Sequence, residues 1–113
     1  MNALTSRLDE AGRLIIKKDR RVFPLLKQLK KEIKASNDHS LIGAHCFMEA
    51  HAAYHFGAYG RLCGHIKSAV RHLLRSDDIR LLARSYNLFA VNAHRIGLYD
   101  VAYNYFLLAY KRV

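Results

Sequence analysis

Histidine, arginine and aromatic residues at helical spacing carry most of the chemistry this chain offers. His51 and His55 stand four residues apart, which sets two ring nitrogens on one side of a helix, within reach of a single metal ion. Cys63 or His65 can supply a third ligand. No paired Cys-x-x-Cys and no His-Glu-x-x-His accompanies them, so the expectation is no metal and no cofactor. Arg84, Asn87, Val91, His94 and Arg95 share a second helical face, and Ala44, Phe47, His51, Tyr54 and His55 form the equivalent face forty residues earlier. Arginine offers a charged fork of donors and the rings offer stacking surfaces, so these faces suit a peptide segment rich in acids. The same residues also read as an ordinary solvated helix surface. Catalysis is not expected: no nucleophile elbow or glycine-rich phosphate loop occurs, and no histidine has a nucleophile and an orienting acid at a readable spacing.

A second chemistry comes from charge. Nineteen Lys and Arg against nine Asp and Glu give a net +10. Lys27, Lys30, Lys31 and Lys34 form a stripe opposite the apolar positions Val22, Leu26, Leu29 and Ile33, and Lys17, Lys18, Arg20 and Arg21 precede it. Such a stripe can follow a phosphate backbone in a salt-sensitive way, or simply keep an outer face wet. Cys46 and Cys63 lie among apolar neighbours without partner spacing, which predicts two reduced core thiols and a cytoplasmic protein. No apolar run approaches the roughly 18 residues needed to span a bilayer, and no signal-peptide core is present.

The elements that must position these residues repeat. Ser36-Asn37-Asp38 returns as Ser76-Asp77-Asp78, and Ala50, Ala53, Gly57, Tyr59 and Ala69 return as Ala90, Ala93, Gly97, Tyr99 and Ala109. A fixed period of this length marks stacked helical units, each burying its apolar face on a neighbour. The pattern predicts six helices in three antiparallel pairs, over about 3–35, 38–74 and 78–113. Asp38 and Asp78, with the serines before them, suit helix N-termini, where short side-chain oxygens accept otherwise unpaired N–H groups. Gly57 and Gly97 suit left-handed closures at the opposite ends. Gly60 and Gly64, one turn apart, are expected to let helices pack closely. The last helix reaches Val113 without a closing glycine or proline, which predicts that the chain is the N-terminal part of a longer protein.

Gly97-x-Tyr99-x-x-Ala102-x-x-x-Phe106-x-x-Ala109, with Tyr86, Phe89 and Ala90 before it, resembles a tetratricopeptide repeat. Residues 43–73 match less fully, since Cys46, Glu49 and Leu62 depart from the pattern, and the period of forty exceeds the usual roughly 34 residues. The extra length predicts a longer second helix in that unit. The resemblance implies an all-α, right-handed superhelix of three helix pairs. It also implies that Phe47, His51, Tyr54, His55, Arg84, Asn87, Val91, His94 and Arg95 line a concave partner-binding groove. The chain is also similar to the helical N-terminal regions of some bacterial GGDEF-type diguanylate cyclases, through Tyr86-Asn87-Leu88-Phe89-Ala90 and Gly97-Leu98-Tyr99-Asp100-Val101-Ala102. No GGDEF motif lies in this chain, so the resemblance implies a regulatory role and no activity of its own.

The expectation is thus a protein- or peptide-recognition module of a cytoplasmic signalling protein. The alternatives are a nucleic-acid module using Lys27, Lys30, Lys31 and Lys34, or a homodimerisation domain that covers Phe106, Leu107 and Tyr110 of the last helix.

Overall fold

Hydrophobic periodicity and turn chemistry produce six helices, and the computed structural model describes residues 3–112. They are α1 (Ala3–Ile16), α2 (Val22–Ser36), α3 (His39–His55), α4 (Leu62–Leu73, entered through a 3-10 turn at Tyr59–Arg61), α5 (Ile79–Arg95) and α6 (Tyr99–Arg112). No strand occurs among the described residues. Each helix is joined to the next by a short turn, so consecutive helices run back along one another.

The two aspartates act as N-terminal caps. The Asp38 carboxylate accepts from the Ser40 and Leu41 amides, and Asp78 accepts from Leu81. The serines two residues earlier link the two helices at each turn: the hydroxyls of Ser36 and Ser76 donate to the Ile33 and Leu73 carbonyls and accept from the Asp38 and Asp78 amides. Gly57 and Gly97 take positive φ values of 78° and 84°. In both, the glycine N–H reaches back three residues and the following N–H reaches back five, satisfying two terminal carbonyls. The same closure ends α1 with Lys18 at φ 55°, a left-handed conformation reached there without glycine. In the turn that follows, Arg21 holds the Asp19 carboxyl down at about 2 through paired hydrogen bonds.

The helices succeed one another in space as they do in sequence. α3 packs on α1, α2, α4 and α5, and α5 on α3, α4 and α6; among the described residues the backbone of α6 comes within 8 Å of no helix but α5. Among the described residues no Cα of α1 or α2 comes within 8 Å of α5 or α6. The molecule measures 39 × 30 × 19 Å. Its core lies on either side of α3, in two clusters against α1 and α2 (one of them Leu8, Leu29 and Ile33) and one against α4 and α5. Ala11, Ile15, Val22 and Leu26 pack with Ala52 on one side, and Phe47, Ile66, Ala69 and Leu73 pack with Leu81, Leu82 and Leu88 on the other. α3 is therefore enclosed from both sides, which is why its buried residues run round the helix rather than along one stripe.

Three sequence expectations change. Cys63 is exposed rather than core, because it enters α4 on the face away from α3, while Cys46 is partly buried. Gly60 and Gly64 face open space, with nothing within 4 Å of where a Cβ would stand. The close approach lies instead at Gly43, where a Cβ would come 2.6 Å from Leu73 Cγ. The second helix of the middle pair is not lengthened: α4 has 12 residues against 17 in α3 and 17 in α5. The longer period resides in those first helices and in the turn between Leu73 and Ile79.

Candidate recognition surface

The second half of α3, the 3-10 turn after it, and Arg84 and Arg95 from the two ends of α5 bring a run of rings and cations to one surface. The Arg84 guanidinium lies 4.8 Å from the centre of the Phe47 ring. Phe47 stacks on His51 at 5.6 Å, His51 meets His55 edge-on at 4.4 Å, and His55 meets Tyr54 at 5.6 Å. Tyr54 then contacts Tyr59 at 6.0 Å, and the Arg95 guanidinium sits 3.6 Å from the centre of the Tyr59 ring. A ladder of aromatic and imidazole rings thus runs unbroken from one arginine to another. Helical spacing explains most of it: residues 47, 51, 54 and 55 are three or four apart on α3.

The electrostatics of the ladder are one-sided. Neither Arg84 nor Arg95 forms an ion pair among the described residues. Arg95 is held instead by Asn92, whose Oδ1 accepts from Nε at 3.1 Å and Nη2 at 2.9 Å. Partial burial pushes His51 down from its ordinary value of 6.5 to about 4, and the neighbouring His55 and Arg84 add to the shift. His51 is therefore a neutral ring at pH 7, able to stack and to donate or accept one hydrogen bond. The positive charge stands at the two ends.

The expected groove residues divide into three groups. His51, Tyr54, His55, Arg84 and Arg95 share the ladder, and Val91 is partly buried on α5 beside it. Phe47 belongs to the ladder through one ring face only. It is 2% exposed and packed in the core, because α5 lies across α3 there, so it supports the surface and does not form its outer lining. Asn87 turns with Arg84 toward a cleft shared with α6, and His94 packs edge-on against Tyr99 at 5.1 Å. The single face drawn on α5 is thus parted between α3 on one side and α6 on the other. Tyr59 and Asn92, which are not among the residues expected from the sequence, complete the site. Tyr59 reads in sequence as the start of a helix, whereas Asn92 three residues before Arg95 is a legible hydrogen-bonding pair.

Two polar clusters lie elsewhere. On α3, His45 is buried: its Nε2 donates to the Leu26 carbonyl at 2.8 Å, and Nδ1 lies 3.3 Å from the Glu49 carboxylate. His65 approaches the same carboxylate at 3.9 Å. Burial alone raises Glu49, but the His45 hydrogen bond and the charges of His45, His65 and Lys30 outweigh it, leaving its pKa lowered. An acid thus stands where the repeat pattern has an apolar residue because Glu49 has polar partners there, His45 from α3 and His65 from α4. His39 and His72 face each other through Nδ1 atoms 3.0 Å apart, tying the start of α3 to the end of α4. Among the described residues no group of three or more His, Cys, Asp or Glu is arranged to hold a metal ion. Lys27, Lys30, Lys31 and Lys34 are all exposed along α2, and Glu32 beside them is taken by Arg7 at 2.9 Å. No described helix is long and apolar enough to cross a membrane.

Comparison of the chain with protein-family models, with curated proteins and with solved structures returns no match.

Proposed function

We propose that this chain is a recognition module in which an extended, acidic peptide segment lies along the ladder between Arg84 and Arg95. The observation that carries the reading is the unbroken ring path with an ion-pair-free guanidinium at each end. Stacked rings offer a flat surface that suits peptide planes and side-chain rings, and each arginine can take a carboxylate in a two-point contact. Asn92 pre-orients Arg95, so less side-chain freedom is lost on binding. The TPR-like architecture, a right-handed stack of three pairs with this surface on its inner side, is part of the proposal. It is supported by each pair touching only the next. So is a regulatory role within a larger cytoplasmic signalling protein.

The test uses a fluorescein-labelled peptide of alternating aspartate and phenylalanine. The Arg84→Glu, Arg95→Glu double variant should lose at least about tenfold in affinity, as expected when charge-assisted pairs turn repulsive. Its helical circular dichroism should be unchanged. Equal affinity in the folded double variant defeats the reading. A second reading, nucleic-acid binding, is favoured by the four exposed lysines of α2. It predicts affinity for single-stranded oligonucleotides that falls steeply with salt and depends on Lys27, Lys30, Lys31 and Lys34, not on the ladder.

A further inference from the structure

α6 is apolar around most of its circumference, yet it has only one neighbour. Tyr99, Val101, Tyr103, Phe106, Leu107, Leu108 and Tyr110 are all exposed, whereas a helix with so little polar surface is ordinarily covered on several sides. Between α5 and α6 runs an open cleft of about 660 Å³. Its floor is Ala83, Phe106, Ala109 and Tyr110, and its rim carries Arg80, Arg84 and Asn87. No acid lines it.

The internal repeat shows what such a cleft accepts. Forty residues earlier the matching positions are Gly43, Ile66, Ala69 and Val70, between α3 and α4. That face is filled by a helix: α5 lays Leu81, Leu82 and Leu88 into it, and Ile66 is left 3% exposed. At the open end the equivalent Phe106 is 37% exposed and Tyr110 80%. The rim differs as well. Ser40 and Ala44 correspond to Arg80 and Arg84, so two positive charges border the open cleft where the filled one has none.

We infer that the α5–α6 cleft is a docking site for an amphipathic helix from another protein, apolar on the face that enters and acidic on its flanks. The helical form follows from the filled copy of the same cleft, and the acids follow from Arg80 and Arg84. A second copy of this chain is the poorer occupant, because each copy brings a net charge of +10 to the contact. This site stands independently of the ladder, although Arg84 borders both.

The probe is a labelled 17-residue helical peptide, the length of α5, with leucines at the spacing of Leu81, Leu82, Ser85 and Leu88 and glutamates on both flanks. It should bind the intact protein, and a scrambled peptide of equal charge should not. Phe106→Asp should weaken binding by about tenfold or more, as expected for a charge set into an apolar contact. Tyr110→Glu, a change at a largely exposed position that leaves folding intact, should weaken it too. Arg80→Glu should do the same, and recover with a peptide in which lysines replace the glutamates. Arg95→Glu should leave helix binding unchanged while impairing the aspartate–phenylalanine peptide, so each site can fail without the other. The proposal is overturned by absence of binding, by equal binding of the scrambled peptide, or by indifference to Phe106→Asp and Tyr110→Glu. It is also overturned if sedimentation shows a dimer that Phe106→Asp abolishes, which assigns the cleft to a second copy.

Discussion

The α3–α4 face and the α5–α6 face are two renderings of one design, the first covered by the following helix and the second open. Within each pair the small residues are conserved in role: Ala50 and Ala69 in the first, Ala90, Ala102 and Ala109 in the second, all buried. Packing inside a pair is therefore complete whether or not a neighbour arrives. The changes collect where the next helix would sit. Phe47, sealed under α5, corresponds to Asn87, and Ala44 corresponds to Arg84. Apolar contacts have been kept on the floor of the open face and polar ones introduced on its rim. This division keeps charge at the water-facing edge while leaving apolar area on the floor uncovered.

The largest effect should separate Ile66 from its counterpart. Ile66→Ala removes a sealed side chain between three helices and should cost about 2–5 kcal/mol. Phe106→Ala, at a position without a covering helix, should cost about 1 kcal/mol or less. Urea unfolding of both variants measures the difference. Equal losses would break the comparison by showing that Phe106 is as enclosed in solution as Ile66.

A smaller effect should come from the glycine that differs. A Cβ at Gly43 meets Leu73 Cγ at 2.6 Å and the Leu73 backbone nitrogen at 3.3 Å. Gly43→Ala is therefore expected to destabilise by about 1–3 kcal/mol through overpacking. Its counterpart already carries the methyl group, and Ala83→Gly should cost about 1 kcal/mol through helix propensity alone. In a Leu73→Ala background Gly43→Ala should cost less than it does in the parent, since the clash is with that side chain. A Gly43→Ala variant as stable as the parent would mean that α3 and α4 separate easily, and that pair packing is looser than the buried alanines indicate.

Much of this frame is legible in the sequence, because it is encoded locally. Asp38, Asp78, Gly57 and Gly97 announce helix ends through hydrogen bonds and φ values that depend only on near neighbours. The apolar stripe of α2 is visible for the same reason. What escapes is information that needs a third helix. Phe47 shares a helical face with His51 and His55, and only the crossing of α5 buries it. Gly60 and Gly64 look like a packing pair, yet no helix lies against them, whereas the isolated Gly43 meets Leu73 from thirty residues away. Glu49 is out of pattern in the sequence, and only the fold brings His45 and His65 to it. The ladder is half legible: its α3 rings follow from spacing, but its two ends depend on where α5 crosses and where Tyr59 turns.

The smallest effect tests the ladder against its counterpart through pH. His51 corresponds to Val91, so α3 carries a titratable ring where α5 carries none. An unfolded histidine takes up a proton near 6.5, whereas burial, with His55 and Arg84 nearby, holds His51 unprotonated down to about 4. Between those values the unfolded chain binds more protons, so stability falls as the pH is lowered from about 6.5 towards 4. For a sealed ring that gap corresponds to about 3 kcal/mol, but His51 is only partly buried and solvent screening reduces the expected loss to about 1 kcal/mol. His72 is lowered as well, by partial burial and then by Arg71, His39 and Arg75, and contributes in the same direction. Glu49, whose carboxyl is lowered below its usual range, enters only at the acid end, where its own contribution is lost on protonation. His51→Val borrows the side chain of the counterpart and should flatten the profile between about 6.5 and 4, while leaving the His72 share. Denaturant unfolding at several pH values measures the slope. A slope that His51→Val leaves untouched would mean that the ring is solvated, and that the ladder is open where Phe47, His51 and His55 are in contact.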